Sequence, residues 1–161
     1  MEQEADEFAA SLLMPLDLFR SAVKNYRQRV CILSELCELA EKRLHTSITS
    51  TALRYCQADI EACSVVFSEN GKIKWAAHSE DMKRLGMGFI PFGTKIPAVA
   101  QTAKLVRAMA DGQEADPVEG STEPSVWYER PFYHKLLWEE AMPLGSTGIV
   151  LTYLTLKDPQ E

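Results

Sequence analysis

Apolar residues open the chain at Ala5, Phe8, Ala9, Leu12 and Leu13, the i, i+3, i+4, i+7, i+8 stripe of a helix with one buried face. Pro15 ends that helix, and Glu2, Glu4, Asp6 and Glu7 sit in its first turns, where carboxylates complement the positive end of the helix dipole. Glu2 lies three and seven residues before Ala5 and Ala9 and so projects from the apolar side. Two readings stand for it: a frayed terminus in water, or an inward carboxylate that needs a cation or hydrogen-bond donors to offset its desolvation. A second helix follows, with Leu16, Phe19 and Val23 at helical spacing and Asp17 as its N-cap; Arg20, Lys24, Arg27 and Arg29 form its solvated side. From Val30 to Leu44 the apolar positions Ile32, Leu33, Leu36, Leu39, Ala40 and Leu44 predict a third helix. His45 and Thr46 interrupt the pattern, and a fourth helix restarts with Thr46 or Ser47 as cap and with Ile48, Ala52, Leu53 and Cys56 inward.

The period changes at Asp59 to Glu61, which places a domain boundary between residues 60 and 61. Cys63 to Ser68 and Lys72 to Ala77 are β-rich runs joined through Glu69, Asn70 and Gly71, and Asn-Gly supplies the positive φ of a tight hairpin turn. Gly86, Gly88, Pro91, Gly93 and Pro97 punctuate the next stretch as a loop, with a short strand near Phe89. Ala98 to Ala110 predicts a helix with Val99, Ala103, Val106 and Met109 on one side, ending at Asp111-Gly112. Gln113 to Pro124 reads as an exposed acidic loop, and Val126 to Tyr128, Leu136 to Met142 and Gly148 to Leu156 as strands. The predicted class is α+β: residues 1–60 form a helical bundle, and residues 61–161 form an antiparallel-sheet domain.

Composition leaves this picture unchanged and narrows the function classes. The 161 residues are 46% hydrophobic and 25% charged, as in an ordinary globular protein. No run of eighteen apolar residues and no basic-led signal peptide occurs, so no membrane span is expected and a cytoplasmic location is. The formal net charge is −6. Only residues 17–60 carry more bases than acids, so any nucleic-acid contact belongs there and its electrostatic drive is weak. Cys31, Cys37, Cys56 and Cys63 include no C-x-x-C pair. They read as small buried hydrophobes, with a metal or redox cluster as the alternative.

A helix, a short break and a second helix is the helix-turn-helix outline. Its second helix would present Thr49, Ser50, Thr51, Arg54 and Gln57, and with Ser47 at the cap the DNA-contact candidates are Ser47, Thr49, Ser50 and Arg54. The turn has no Gly, and a bundle that only packs on its neighbours is the alternative. Glu139 and Glu140 are adjacent on a predicted strand and point to opposite faces, which excludes an acid–base dyad. No G-x-S-x-G elbow is present, and no residue is assigned a catalytic role.

The pattern E-x-x-A-D-x-F-A-x-x-L-L-M-P, filled by Glu2, Ala5, Asp6, Phe8, Ala9, Leu12, Leu13, Met14 and Pro15, resembles the helix that follows the H-E-x-x-H helix in the ImmA/IrrE family of zinc metallopeptidases. The resemblance continues through Leu36 to Tyr55, similar to that family's helix-turn-helix-like bundle. It extends to the V-V-F-S-x-N-G-x-I-x-W hairpin, Trp138 to Glu140 and the G-x-V-L-T-x-L-x-L ending, similar to its GAF-like domain. It implies that Glu2 is the third zinc ligand in a complete family member, that the substrate is a transcriptional repressor, and that the GAF-like part senses a small molecule. Under that implication Trp75, Phe89, Trp127, Tyr133 and Trp138 are pocket-wall candidates, the alternative being plain core. The departure is equally definite, because His45, His78 and His134 stand far apart and no H-E-x-x-H occurs. A catalytic zinc takes three protein ligands and an open position. The expectation is therefore a downstream portion lacking its upstream catalytic segment, with no cofactor of its own and no peptidase activity in isolation. An opening helix deprived of that segment would expose apolar surface, which predicts a homodimer. The second expectation is a stand-alone regulatory module that binds DNA or protein through its helices and a small ligand through its α+β domain.

Overall fold

A computed structural model describes residues 15–26, 32–145 and 147–156. The predicted opening helix and Glu2 lie outside them. Helix α1 spans Leu16–Tyr26 and α2 Ile32–Glu38; the latter runs on into a π-helical turn, Leu39–Leu44, where a single α-helix had been predicted. His45 closes that turn in the left-handed region at φ 50°. Helix α3, Ile48–Gln57, begins as the sequence predicts, with Ser47 Oγ accepting from Ser50 N–H at 3.1 Å.

The sheet is built from β1 (Cys63–Glu69), β2 (Lys72–His78), β3 (Val118–Thr122), β4 (Leu137–Pro143) and β5 (Ile149–Thr155) in the order β2-β1-β5-β4-β3. Every neighbouring pair is antiparallel. Asn70 (φ 50°) and Gly71 (φ 77°) form the two-residue turn between Glu69 and Lys72, the hairpin expected from Asn-Gly. A bulge follows Phe67 and resets the alternation of β2. Helices α4 (Glu80–Arg84), α5 (Gln101–Ala110) and α6 (Pro124–Trp127) complete the chain.

Strand alternation divides the core into two layers. Val65, Leu151 and Tyr153 face Phe19, Val23, Leu33, Leu36, Leu39, Ala52, Tyr55 and Cys56 of the helical segment. Val66 and Leu154 point the other way, onto Met82, Met87, Ile90, Ile96, Ala103 and Trp127, and Leu105 packs with Ala141 and Val150. The first cluster therefore crosses the expected boundary at residue 60: the helices and the sheet share one core.

Four expectations are corrected. Val126 to Tyr128 is not a strand, because Pro124 occupies the first position of a helical turn that ends at Trp127. The acidic stretch from Gln113 to Pro124 is not all loop, since Val118–Thr122 is edge strand β3, paired to Thr122↔Leu137 at one end and Val118↔Ala141 at the other. No strand forms near Phe89; the residues from Met87 to Ile96 instead cover the free edge of β2, with Gly93 N–H donating to Ile73 O and Ile73 N–H to Thr94 O at 2.8 Å each. Helix α5 starts at Gln101 rather than Ala98, so Val99 is exposed and the buried side is Thr102, Ala103 and Leu105.

Candidate functional site

Part of the surface that the sequence suggests for the helical segment is buried. Residues Thr51 to Cys56 of α3 are all buried, because the helix is enclosed between α2 and the β1–β2 hairpin. Arg54, predicted to be exposed and to meet DNA, is 7% exposed and donates from Nη1 to Gln57 Oε1 at 3.1 Å. Burial, and then the neighbouring Arg20 charge, lower its pKa. Thr51 is likewise corrected from exposed to buried, donating to Ser47 O. Ser47 is the helix cap, and its hydroxyl also meets Ser50 Oγ at 2.8 Å; Thr49 and Ser50 are half-buried.

The five aromatic candidates do not line one pocket. Trp75 stacks on Phe67 at 5.5 Å on the face toward the helical segment, and Trp138, two residues from Glu140 on β4, belongs to that side too. Trp127 and Tyr133 pack on the opposite face, and Phe89 is 73% exposed.

Two adjacent glutamates organise the sheet instead, one on each face as strand geometry requires. Glu139 is fully buried. Its Oε1 accepts from Thr102 N–H and Thr102 Oγ1 at 2.7 Å each, and its Oε2 from Trp127 Nε1 at 3.1 Å. Helix α5 has Ala100 at its N-cap and no cap of its own, so β4 supplies the carboxylate that an N-terminus favours. Glu140 Oε2 accepts from Leu33 N–H at 3.1 Å and ties the start of α2 to the sheet. The sequence signal for both was only a charged pair in an apolar strand.

A polar relay lies where β1 and β2 meet α4. Tyr128 Oη donates to Ser64 Oγ at 2.7 Å, and Ser64 Oγ is 2.7 Å from His78 Nδ1. With its one proton directed at His78, Ser64 sets the Nε2–H tautomer of a neutral ring. Burial and the Lys83 charge push the pKa of His78 down to about 4, and burial raises that of Tyr128. Ser64 is fully buried, so the pair is a structural relay and not an accessible nucleophile with its base. Close by, Cys56 and Cys63 hold their sulfurs 3.5 Å apart in the core, and Tyr55 and Tyr153 both donate to Glu61.

Among the described residues no group of three or more His, Cys, Asp or Glu side chains is placed to hold a metal ion. Nor, among them, is any helix long and apolar enough to cross a membrane.

The concave feature that sequence reasoning missed is a cavity of about 690 Å³ at the turn end of the sheet. Three segments converge on it: the hairpin turn Asn70-Gly71, the exit of α5 from Gly112 to Ala115, and Pro143, Gly145, Thr147 and Gly148 between β4 and β5. Its apolar lining is Val106, Met109, Ala110, Ala115 and Pro143; its polar lining is Asn70, Gln113, Glu114 and Thr147. The walls are held by Asn70 N–H to Gly148 O at 2.9 Å and by the end of α5, where Gly112 (φ 68°) lets Gly112 N–H reach Met109 O and Gln113 N–H reach Ala108 O. Glycines far apart in sequence make this site, and no local motif announces it. No protein-family model matches the chain, and no curated protein matches it.

Proposed function

We propose that this chain is the regulatory portion of an ImmA/IrrE-like zinc metallopeptidase, in which a GAF-like α+β unit takes up a small-molecule signal and the helical segment, with its helix-turn-helix-like pair, carries the response toward the peptidase part. One observation carries the lineage: the unbroken Glu2 to Pro15 pattern. The regulatory role is supported by the described residues, which hold a ligand-sized cavity. It is also supported by β4, whose Glu139 and Glu140 bond to opposite layers, so that a shift of this strand acts on both. Zinc belongs to the complete family member, and the repressor substrate to its activity.

The test is to express the reading frame extended upstream of Met1, where the proposal requires an encoded H-E-x-x-H, and to measure zinc content by equilibrium dialysis. One zinc per chain, lost in Glu2→Gln, is the expected outcome. A frame that encodes no such motif, or a Glu2→Gln protein with undiminished zinc, would abolish the peptidase lineage. The second reading, a stand-alone regulatory module, draws on the same cavity and needs no upstream segment. The burial of Arg54 removes DNA binding through that side chain from it.

A further inference from the structure

We infer that the cavity at the turn end of the sheet is a binding site for a small organic cation, an alkyl- or arylammonium with a compact apolar group. This rests on the reading of the α+β unit as a ligand-binding regulatory module and gives that unit a site and a ligand chemistry.

The size is that of a small-molecule site: about 690 Å³ falls within the range of roughly 300–1,000 Å³ typical of ligand pockets. The apolar lining of Val106, Met109, Ala110, Ala115 and Pro143 offers an apolar group contact away from water, and methionine adapts to an aromatic or branched shape. The electrostatics then choose the sign of charge. Glu114 is the only charged residue among those lining the cavity, and no lysine or arginine lines it. The ten-residue helix α5 delivers its carboxyl end there through Ala110 and Gly112, so the negative end of its dipole adds to the Glu114 carboxylate. The Asn70 and Gln113 side-chain oxygens and Thr147 Oγ are further acceptors suited to the three protons of an ammonium group. An anion finds no cation here and meets both the carboxylate and the helix end.

Preorganisation is the second half of the argument. Asn70 N–H to Gly148 O at 2.9 Å joins the hairpin turn to the β4–β5 connection independently of any ligand, and the other two bonds close a segment on itself: Leu144 N–H to Ile149 O at 2.9 Å and Gln113 N–H to Ala108 O at 3.0 Å. A ligand binding between them therefore loses little affinity to ordering of the loops. Occupancy would press on Pro143 at the end of β4, the strand whose carboxylates hold α5 on one side and α2 on the other.

The experiment is a titration of the 161-residue chain, followed by amide chemical shifts, with three probes of matched shape: benzylamine, benzyl alcohol and benzoate. Benzylamine is expected to give saturable shifts centred on Val106, Met109, Gly112 to Ala115 and Gly148. Benzyl alcohol should bind more weakly and benzoate not at all. Glu114→Gln, a change at an exposed carboxylate, should weaken benzylamine about threefold, the size of one solvent-screened charge interaction. Met109→Trp should fill the cavity and abolish binding, with its melting transition measured alongside; if that variant does not fold, Glu114→Gln decides. Benzoate binding as tightly as benzylamine overturns the inference, as does an unchanged affinity in Glu114→Gln. Shifts centred on Trp127 and Tyr133 overturn it while leaving a ligand-binding module in place. The absence of any saturable shift with all three probes overturns it as well, and separates from failure of the peptidase lineage, which is read from zinc content in the extended protein.

Discussion

Acidification tests the relay at His78. In the folded chain the ring is held neutral by burial and by the Lys83 charge, with a pKa of about 4 against an ordinary value of 6.5, and its Nδ1 lies 2.7 Å from Ser64 Oγ. The unfolded chain therefore binds the proton first as pH falls. Stability from this group is complete above pH 6.5, is lost as pH falls through the interval down to about 4, and levels off below it. The full displacement would correspond to about 3 kcal/mol, and the part reached at pH 5 to about 2 kcal/mol. Because the ring keeps some solvent contact, screening reduces the expected loss at pH 5 to roughly 1–2 kcal/mol.

Carboxylates titrate over the same interval, so the measurement is a difference between two proteins. Urea unfolding of the wild type and of His78→Gln at pH 7.5 and pH 5.0 isolates the histidine, since Gln accepts from Ser64 and carries no titrating proton. The wild type should lose roughly 1–2 kcal/mol more than the variant on acidification. The imidazole proton resonance of His78, followed by NMR, should have its midpoint near 4. Parallel losses in the two proteins, or a midpoint near 6.5, would refute the account of how the ring is held.

Three further outcomes are expected. Glu139→Gln keeps the shape but sets an amide against Trp127 Nε1 and Thr102 N–H, which are both donors, so either amide orientation faces one of them with N–H; urea unfolding should show a loss of about 2–4 kcal/mol. Glu140→Ala removes the acceptor of Leu33 N–H, and hydrogen exchange should become faster in α1 and α2 while β1 and β5 stay protected. Gly148→Ala places a Cβ against Asn70 Oδ1 at a φ of 78°, and thermal or urea unfolding should report a cost of about 1–3 kcal/mol, with weakened benzylamine binding because the Asn70 side chain must turn away.

What the sequence reveals here depends on whether an element is built from its own residues. The β1–β2 hairpin needs only Asn70-Gly71 and two β-rich runs, β5 is an apolar run that pairs on both sides, and α3 carries its own cap in Ser47. Each is legible because its cause is local. Strand β3 is not, since Val-Glu-Gly-Ser-Thr has no apolar face and its pairing comes from β4, about twenty residues away. Helix α6 misleads for the opposite reason: Val126, Trp127 and Tyr128 have strand composition, while Pro124 sets a helical φ ahead of them. The charge of Arg54 points to solvent, yet the side chain is buried with Arg20 of α1 close enough to lower its pKa, a tertiary arrangement that helix periodicity cannot contain. The cavity is the extreme case, for its walls come from three turns and none carries a motif.

The same distinction explains why β4 matters more than its composition suggests. A fully buried carboxylate is expensive, and a strand tolerates one only where donors surround it; Glu139 has three. An apolar residue there would leave Thr102 N–H and Trp127 Nε1 unpaired, so α5 and α6 are bound to β4 by a group whose replacement each of them registers. Its neighbour Glu140 does the same for α2 on the other face. Hydrophobic packing alone would let the two layers slide on the sheet with small changes in energy, whereas directional bonds from adjacent residues of one strand fix both layers to the same short piece of backbone. That piece ends at Pro143, in the wall of the cavity. Any ligand that moves the end of β4 must therefore either be resisted by both sets of hydrogen bonds or shift the helical segment and α5 together, and this is the physical content of a regulatory role for the sheet.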